Sequence, residues 1–351
     1  MVIKTLIYTV LVTWCVTISF CVSVVLHELG HLLCGRLSGY KFSSFRLLKW
    51  LWVKDENGRI KVSKGAGISA VLGQCLMEPP ENEHDFRFVL YNLGGGLVNI
   101  ITGLVFVVLF IFADSTAAGL ALYGMCIPAL YLGIVSLVPI TKGIVPNDGA
   151  NIREAHKSAD AKHGFYLMLK LNADMAKGIR ITDYDESVFA VREGADLSNY
   201  LVANIVTLRA AQLEAQGAYE QSYQEMLRLD LSLLPSFYEG VLILSLMFHE
   251  LVYFGDESYT QRARVRIDQK AKDKSFQRLL LMNHPTFVIL NAAKTGLLDN
   301  DTEKANNLIA RTRRLTPLLQ SPGQEEILLF MSDKLESRLN SHQRILGTVE
   351  K

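Results

Sequence analysis

The sequence predicts a mainly α-helical membrane protein: three transmembrane spans with a β-hairpin inserted after the first, followed by an all-α domain that is a solenoid or a bundle. Three observations predict it. Three uncharged stretches, Thr5 to Leu26, Phe88 to Ala113 and Ser115 to Thr141, each exceed the roughly 20 apolar residues that a helix needs to cross a hydrocarbon core. Charge is divided unevenly, with 20 of the Lys, Arg, Asp and Glu side chains in residues 1–150 and 51 in residues 151–351. From about residue 160 the apolar pattern takes helical spacing, broken at short intervals by Gly, Pro or Asp.

The first span, about 5–34, follows Lys4. Its apolar run is longer than that of a secretory leader and no A-x-A cleavage pattern follows, so it is expected to stay in the protein. After it, "FRLLKWLWV" and "RIKVS" flank "KDENG", and Asn57-Gly58 signals a tight turn, giving a hairpin over about 43–64. Phe45, Trp50 and Trp52, set among Arg46 and Lys49, suit strands at the headgroup level, and equally an ordinary surface hairpin. "MEPPENEHDF" (77–86) reads as a polar loop leading to the second span, about 88–113. There "YNLGGGLVNIITG" sets three glycines beside Asn92 and Asn99. Glycines in lipid either let helices pack closely or mark local unwinding or close backbone approach beside a polar cavity, and both readings stand at this level.

The third span, about 115–141, ends in "SLVPITKGIVPNDG", where two prolines and a turn signal exclude regular helix from Pro139 to Gly149. These spans belong to a membrane domain, residues 1–152. Residues 153–351 form the helical domain, whose segments include "DLSNYLVANIVTLRAAQLEAQG", opened by Asp196 as N-cap and closed by Gly217. "LILSLMFHELVYF" is apolar, but its uninterrupted run is too short for a span and is read as a buried core helix.

Nine Lys and Arg lie between Arg36 and Arg87, and none flanks Asp114, so the link after span 1 is expected on the cytoplasmic side. The N-terminus then lies outside and the helical domain in the cytoplasm. The net charge of +1 gives no reason to expect nucleic acid. The five cysteines, all in the first part, follow no spacing of a disulfide framework or a Cys-zinc site.

At residues 24–39, "VVLHELGHLLCGRLSG" sets His27 and His31 four apart on one helix face, able to grip one zinc ion, with Glu28 beside it. Two histidines and a glutamate at the end of an apolar span would each cost a few kcal/mol in lipid without a compensating partner, which favours a metal site. A catalytic zinc needs a third protein ligand and an open position for water. Asp114 is on the opposite side and Asp55 and Glu56 sit in an exposed turn; Asp148, in the irregular segment at the cytoplasmic end of span 3, is the better candidate, its alternative role being to cap the helix beginning near Ala150.

HELGH at the end of a span, "GGGLVN" in a later span and a proline-containing turn ending in Asp-Gly resemble the intramembrane zinc metalloproteases of the site-2 protease class, peptidase family M50. The resemblance implies zinc as cofactor, His27, His31 and Asp148 as ligands, Glu28 as catalytic base, and Gly95 and Asn99 as the substrate-binding middle motif, with Gly96 where the family has Pro. Ser136 stands where the family has Asn, Asn147 where it has Leu, and the gap between Pro139 and Asp148 is longer than the family's. The resemblance covers about residues 1–152 and implies hydrolysis of a peptide bond in or near a transmembrane segment of a membrane protein or signal peptide. The expected partners are that substrate, the lipid bilayer (a bacterial cell membrane) and a protein bound by the helical domain. Two other readings remain at this level: a CAAX-type membrane metalloprotease, needing a glutamate ligand on a later helix, and a non-proteolytic scaffold with structural zinc.

Overall fold

The structure is a computed structural model that describes residues 2–64, 72–141 and 145–349. The chain forms two compact units. One comprises Met1–Leu48, Leu72–Thr141 and Pro146–Arg153; the other comprises Lys49–Val71, Lys142–Val145 and Glu154–Lys351.

The first unit is built on helices α1 (Val2–Leu37), α2 (Phe88–Ile111) and α3 (Thr116–Leu137), which all pack on one another. Its polarity is inside out. Ser19, Ser23, Glu28, His31, Asn92 and Asn99 are buried, whereas Leu6, Trp14, Ile101, Val108 and Phe112 are exposed. A water-soluble protein hides such apolar side chains; a lipid-facing one displays them and keeps polar groups inside. With four helices among the described residues long and apolar enough to cross a membrane, the chain is an integral membrane protein. The fourth of these helices, Ser236–Phe254, lies in the second unit. There Leu244, Met247, Phe248 and Leu251 are buried in a protein core, as the sequence suggests.

Small residues set how closely these helices pack. A Cβ on Gly30 would stand 2.3 Å from the Gly94 carbonyl oxygen, and one on Gly94 would stand 2.4 Å from that of Gly30. Thus α1 and α2 meet backbone to backbone. Helix α2 runs unbroken through Gly94–Gly96, which excludes local unwinding. In α3, Pro128 removes the N–H that would serve the Gly124 carbonyl. The hydroxyl of Ser19 donates to the adjacent Met125 carbonyl at 2.6 Å, tying α1 to this weak point.

Strands β1 (Lys41–Leu47) and β4 (Gly73–Glu78) form an antiparallel pair in the first unit, with Phe45 opposite Cys75 and Leu47 opposite Gly73. Strands β2 (Trp50–Lys54) and β3 (Ile60–Lys64) form the hairpin in the second unit. Its turn closes as Asn57-Gly58 predicts, with Gly58 at φ +76° and its amide donating to the Asp55 carbonyl. "FRLLKWLWV" is not one strand, because the chain turns at Leu48, which takes φ +52°. β4 also corrects the sequence reading: Met77 and Glu78, assigned to the loop 77–86, end a strand.

Helix α4 (Asp148–Ala155), which belongs to the first unit up to Arg153, leads into the helices of the second: α5 (Ala159–Ala176), α6 (Tyr200–Ala215), α7 (Tyr219–Leu227) and α8 (Ser236–Phe248). A π-turn at His249–Phe254 is followed by α9 (Glu257–Lys270), α10 (Lys274–Leu280), α11 (Pro285–Leu297), α12 (Thr302–Leu315) and α13 (Pro322–Val349). The N-cap of α6 is Asn199, which accepts from the Leu201 amide; Asp196 instead accepts from Ser198 in the preceding turn. Helix α13 packs on α5 as well as on α11 and α12. That closure suits a bundle, since in a solenoid each repeat meets only its neighbours. The Ser63 hydroxyl of β3 donates to the Leu318 carbonyl at 2.9 Å, attaching the hairpin to this unit.

Candidate metal centre

The centre lies where the last turns of α1 meet the middle of α2 and the start of α4. His27 and His31 project from one face of α1, four residues apart, as their spacing requires. Opposite them α2 presents Gly95, where a Cβ would stand 2.6 Å from His27 Cε1 and from His31 Nε2. No side chain fits there, so this glycine makes room for the two imidazoles. Its neighbour Gly96 faces Leu137 and Ser136 of α3. The Ser136 hydroxyl donates to the Gly133 carbonyl of its own helix.

Asp148 reaches both histidines, with Oδ2 at 3.2 Å from His27 Nε2 and 3.4 Å from His31 Nε2. It is free to do so because the capping role belongs to its neighbour. Asn147 Oδ1 accepts from the Ala150 amide, the N-cap bond of α4, and from the Ile140 amide, both at 3.0 Å. Its Nδ2 donates to the carbonyls of Val135 and Val138, both at 2.7 Å. One asparagine thus binds the frayed end of α3 to the first turn of α4. Gly149 completes the junction, since a Cβ there would stand 2.1 Å from the Leu137 carbonyl oxygen. The residues 142–144, within the segment expected to be irregular, lie outside the described residues.

The donor set fits a metal on two grounds. His31 Nδ1 lies 2.8 Å from the Tyr91 carbonyl oxygen, which can only accept, so Nδ1 carries the proton and Nε2 offers a lone pair. That lone pair faces a carboxylate oxygen and a second imidazole nitrogen, an arrangement that calls for a cation between them. The three ligand atoms are separated by 3.1, 3.2 and 3.4 Å. Ligands about 2.0–2.1 Å from a tetrahedral zinc stand about 3.3 Å apart. Asp148 favours its anionic form: burial alone would raise its pKa, but positive charge at His31 and hydrogen bonds from both histidines, a role the ion would take over when bound, hold it below the ordinary carboxylate range. Among the described residues, His27, His31 and Asp148 are the group of His, Cys, Asp and Glu able to hold a metal ion.

Glu28 is buried beside this group and outside it. The Cys75 amide of β4 donates to its carboxylate, and a Cβ on Gly73 would stand 2.7 Å from Glu28 Oε1. The Cys75 carbonyl accepts from the Tyr91 hydroxyl at 2.7 Å. Strand β4 is therefore fixed to the glutamate by one end of the Cys75 peptide and to α2 by the other. Asn99 is fully buried one helical turn beyond Gly95, with Nδ2 at 3.4 Å from His27 Nδ1. The sequence reading missed Asn147, Tyr91 and the β4 backbone; of these only Asn147, immediately before a helix, carried a sequence signal.

The sequence model of Peptidase family M50 matches residues 15–218, more than half of the chain. The chain belongs to peptidase family M50. The matched region of this M50 peptidase contains both histidines, Glu28, Asp148 and helices α2 to α6. The family consists of zinc metalloproteases, and His27, His31 and Asp148 of this member have the chemistry to hold that ion. No curated protein and no solved structure matches the chain.

Proposed function

We propose that this M50 peptidase is a zinc-dependent intramembrane endopeptidase, cutting a peptide bond in or near a transmembrane segment of a membrane protein or signal peptide. The observation that carries the reading is a hydrolytic constellation of His27, His31, Asp148 and Glu28 at the ends of helices whose outer faces are apolar. His27, His31 and Asp148 would hold the ion, which when bound supplies Lewis acidity toward a water and the scissile carbonyl. Glu28, beside the ion and free of ligation, takes the proton from the attacking water and returns it to the leaving amine. The Cys75 amide orients its carboxylate for that task.

A membrane helix hides its amides in hydrogen bonds, so the substrate segment must be extended before it can be cut. Strand β4 offers main-chain groups beside Glu28 for an extended segment, a mode of binding tolerant of sequence. Because the Cys75 peptide is already engaged, pairing would begin toward Gly73. Three spans, a cytoplasmic basic link after span 1 and a cytoplasmic helical domain that docks substrate or controls access complete the reading.

The test is Glu28→Gln in a cell-based or detergent assay of a membrane reporter, with zinc content measured in parallel. Retained zinc with turnover reduced at least about a hundredfold supports the base assignment. Normal turnover refutes it.

A further inference from the structure

We infer that Asn99 is a positioning residue for the metal centre: its side-chain oxygen holds the Nδ1 proton of His27 and so aims His27 Nε2 at the ion. The inference rests on the zinc reading of the site.

His27 turns Nε2 toward His31 and Asp148, at 3.1 and 3.2 Å. An imidazole that offers its Nε2 lone pair to a metal carries its proton on Nδ1. That Nδ1–H meets the amide end of Asn99, with Nδ2 at 3.4 Å, so two donors face each other. The other amide atom, Asn99 Oδ1, is buried with no hydrogen-bond partner. A buried amide oxygen without a donor costs about 1–3 kcal/mol. The oxygen and nitrogen of an asparagine amide are assigned by their network, and rotating the group by half a turn both relieves the opposed donors and gives Oδ1 a donor. Oδ1 then accepts from His27 Nδ1–H.

The same logic already operates at the other imidazole, where the Tyr91 carbonyl accepts from His31 Nδ1 at 2.8 Å. Each histidine is thus held from behind by an acceptor on α2, a backbone carbonyl for one and a side-chain amide for the other. Gly95 and Asn99, four apart on one face of α2, divide the work: the glycine leaves space for the rings, and the asparagine sets the tilt of one of them.

The experiment is zinc affinity by chelator competition on the full chain in detergent, for wild type, Asn99→Leu and Asn99→Asp, alongside thermal unfolding of the metal-free proteins. Removing a partner behind a ligating histidine costs about 10–100-fold in metal affinity. Asn99→Leu should fall by that factor. Asn99→Asp, which keeps an acceptor facing His27 Nδ1–H, should bind zinc at least as tightly as wild type. Unchanged affinity in Asn99→Leu overturns the inference while leaving the zinc reading intact. If the leucine variant does not fold, Asn99→Asp decides: affinity at or above wild type supports the role, and a tenfold loss overturns it. A wild-type chain that binds no zinc overturns this inference together with the functional reading, and is recognised before any variant is compared.

Discussion

Asn147→Ala tests how the third ligand is delivered. The side chain makes four hydrogen bonds across the junction of α3 and α4, and the next residue is Asp148. The bonds to the Val135 carbonyl and from the Ala150 amide are partly buried, and the other two are exposed, where water replaces them at little cost. At about 1 kcal/mol net for each of the two sheltered bonds, the alanine variant loses about 2 kcal/mol of local order. If that order is what holds the carboxylate near the imidazoles, zinc must restore it on binding, and affinity drops roughly thirtyfold. Chelator competition on purified protein measures this directly, with circular dichroism to check that the helices persist. An alanine variant with wild-type zinc affinity would show that Asp148 is positioned by something other than the Asn147 network.

Gly95→Ala should lower zinc affinity by at least tenfold, because its methyl would overlap His27 Cε1 and His31 Nε2, each 2.6 Å from the Cβ position; metal content after dialysis reads the effect, and full retention contradicts the packing. In the helical unit, Glu250 is fully buried and receives hydrogen bonds from Tyr223 at 2.7 Å and Arg266 at 3.1 Å. Arg266→Leu strands that carboxylate and should destabilise the unit by about 3 kcal/mol, and Glu250→Gln added to it should recover part of the loss. Thermal unfolding of the two variants gives the comparison, and equal melting temperatures would remove the buried pair from the account.

Much of the site was legible because its chemistry is local in sequence. HELGH fixes two imidazoles and a carboxylate on one helical turn, and an apolar span leading into it excludes a surface role. Asp148 was reachable from its place in an irregular segment at the end of span 3 and from the family resemblance. What could not be read is what depends on contacts remote along the chain. The three adjacent glycines face three different neighbours, a distinction that needs the helix crossings. Strand β4 escaped because "GQCLME" lacks strict alternation, and its pairing with β1 comes from residues about thirty positions earlier. Asn147 was seen as a turn residue and Asp148 weighed as the cap. The structure exchanges those roles, since the residue just outside the helix is the one whose side chain can fold back on the first amides.

The hairpin β2–β3 bears on how the gene can be cut. It is encoded between two membrane helices, yet Ser63 bonds to Leu318, and Val53, Asp55 and Lys61 share a cleft of about 410 Å³ with Pro317, Gln320 and Pro322. A truncation ending after Arg153 would therefore deprive an upstream segment of its support, and an isolated C-terminal fragment would lack two of its own strands. Neither half is a transferable cassette, so chimeras exchanging the helical portion must carry residues 49–64 with it.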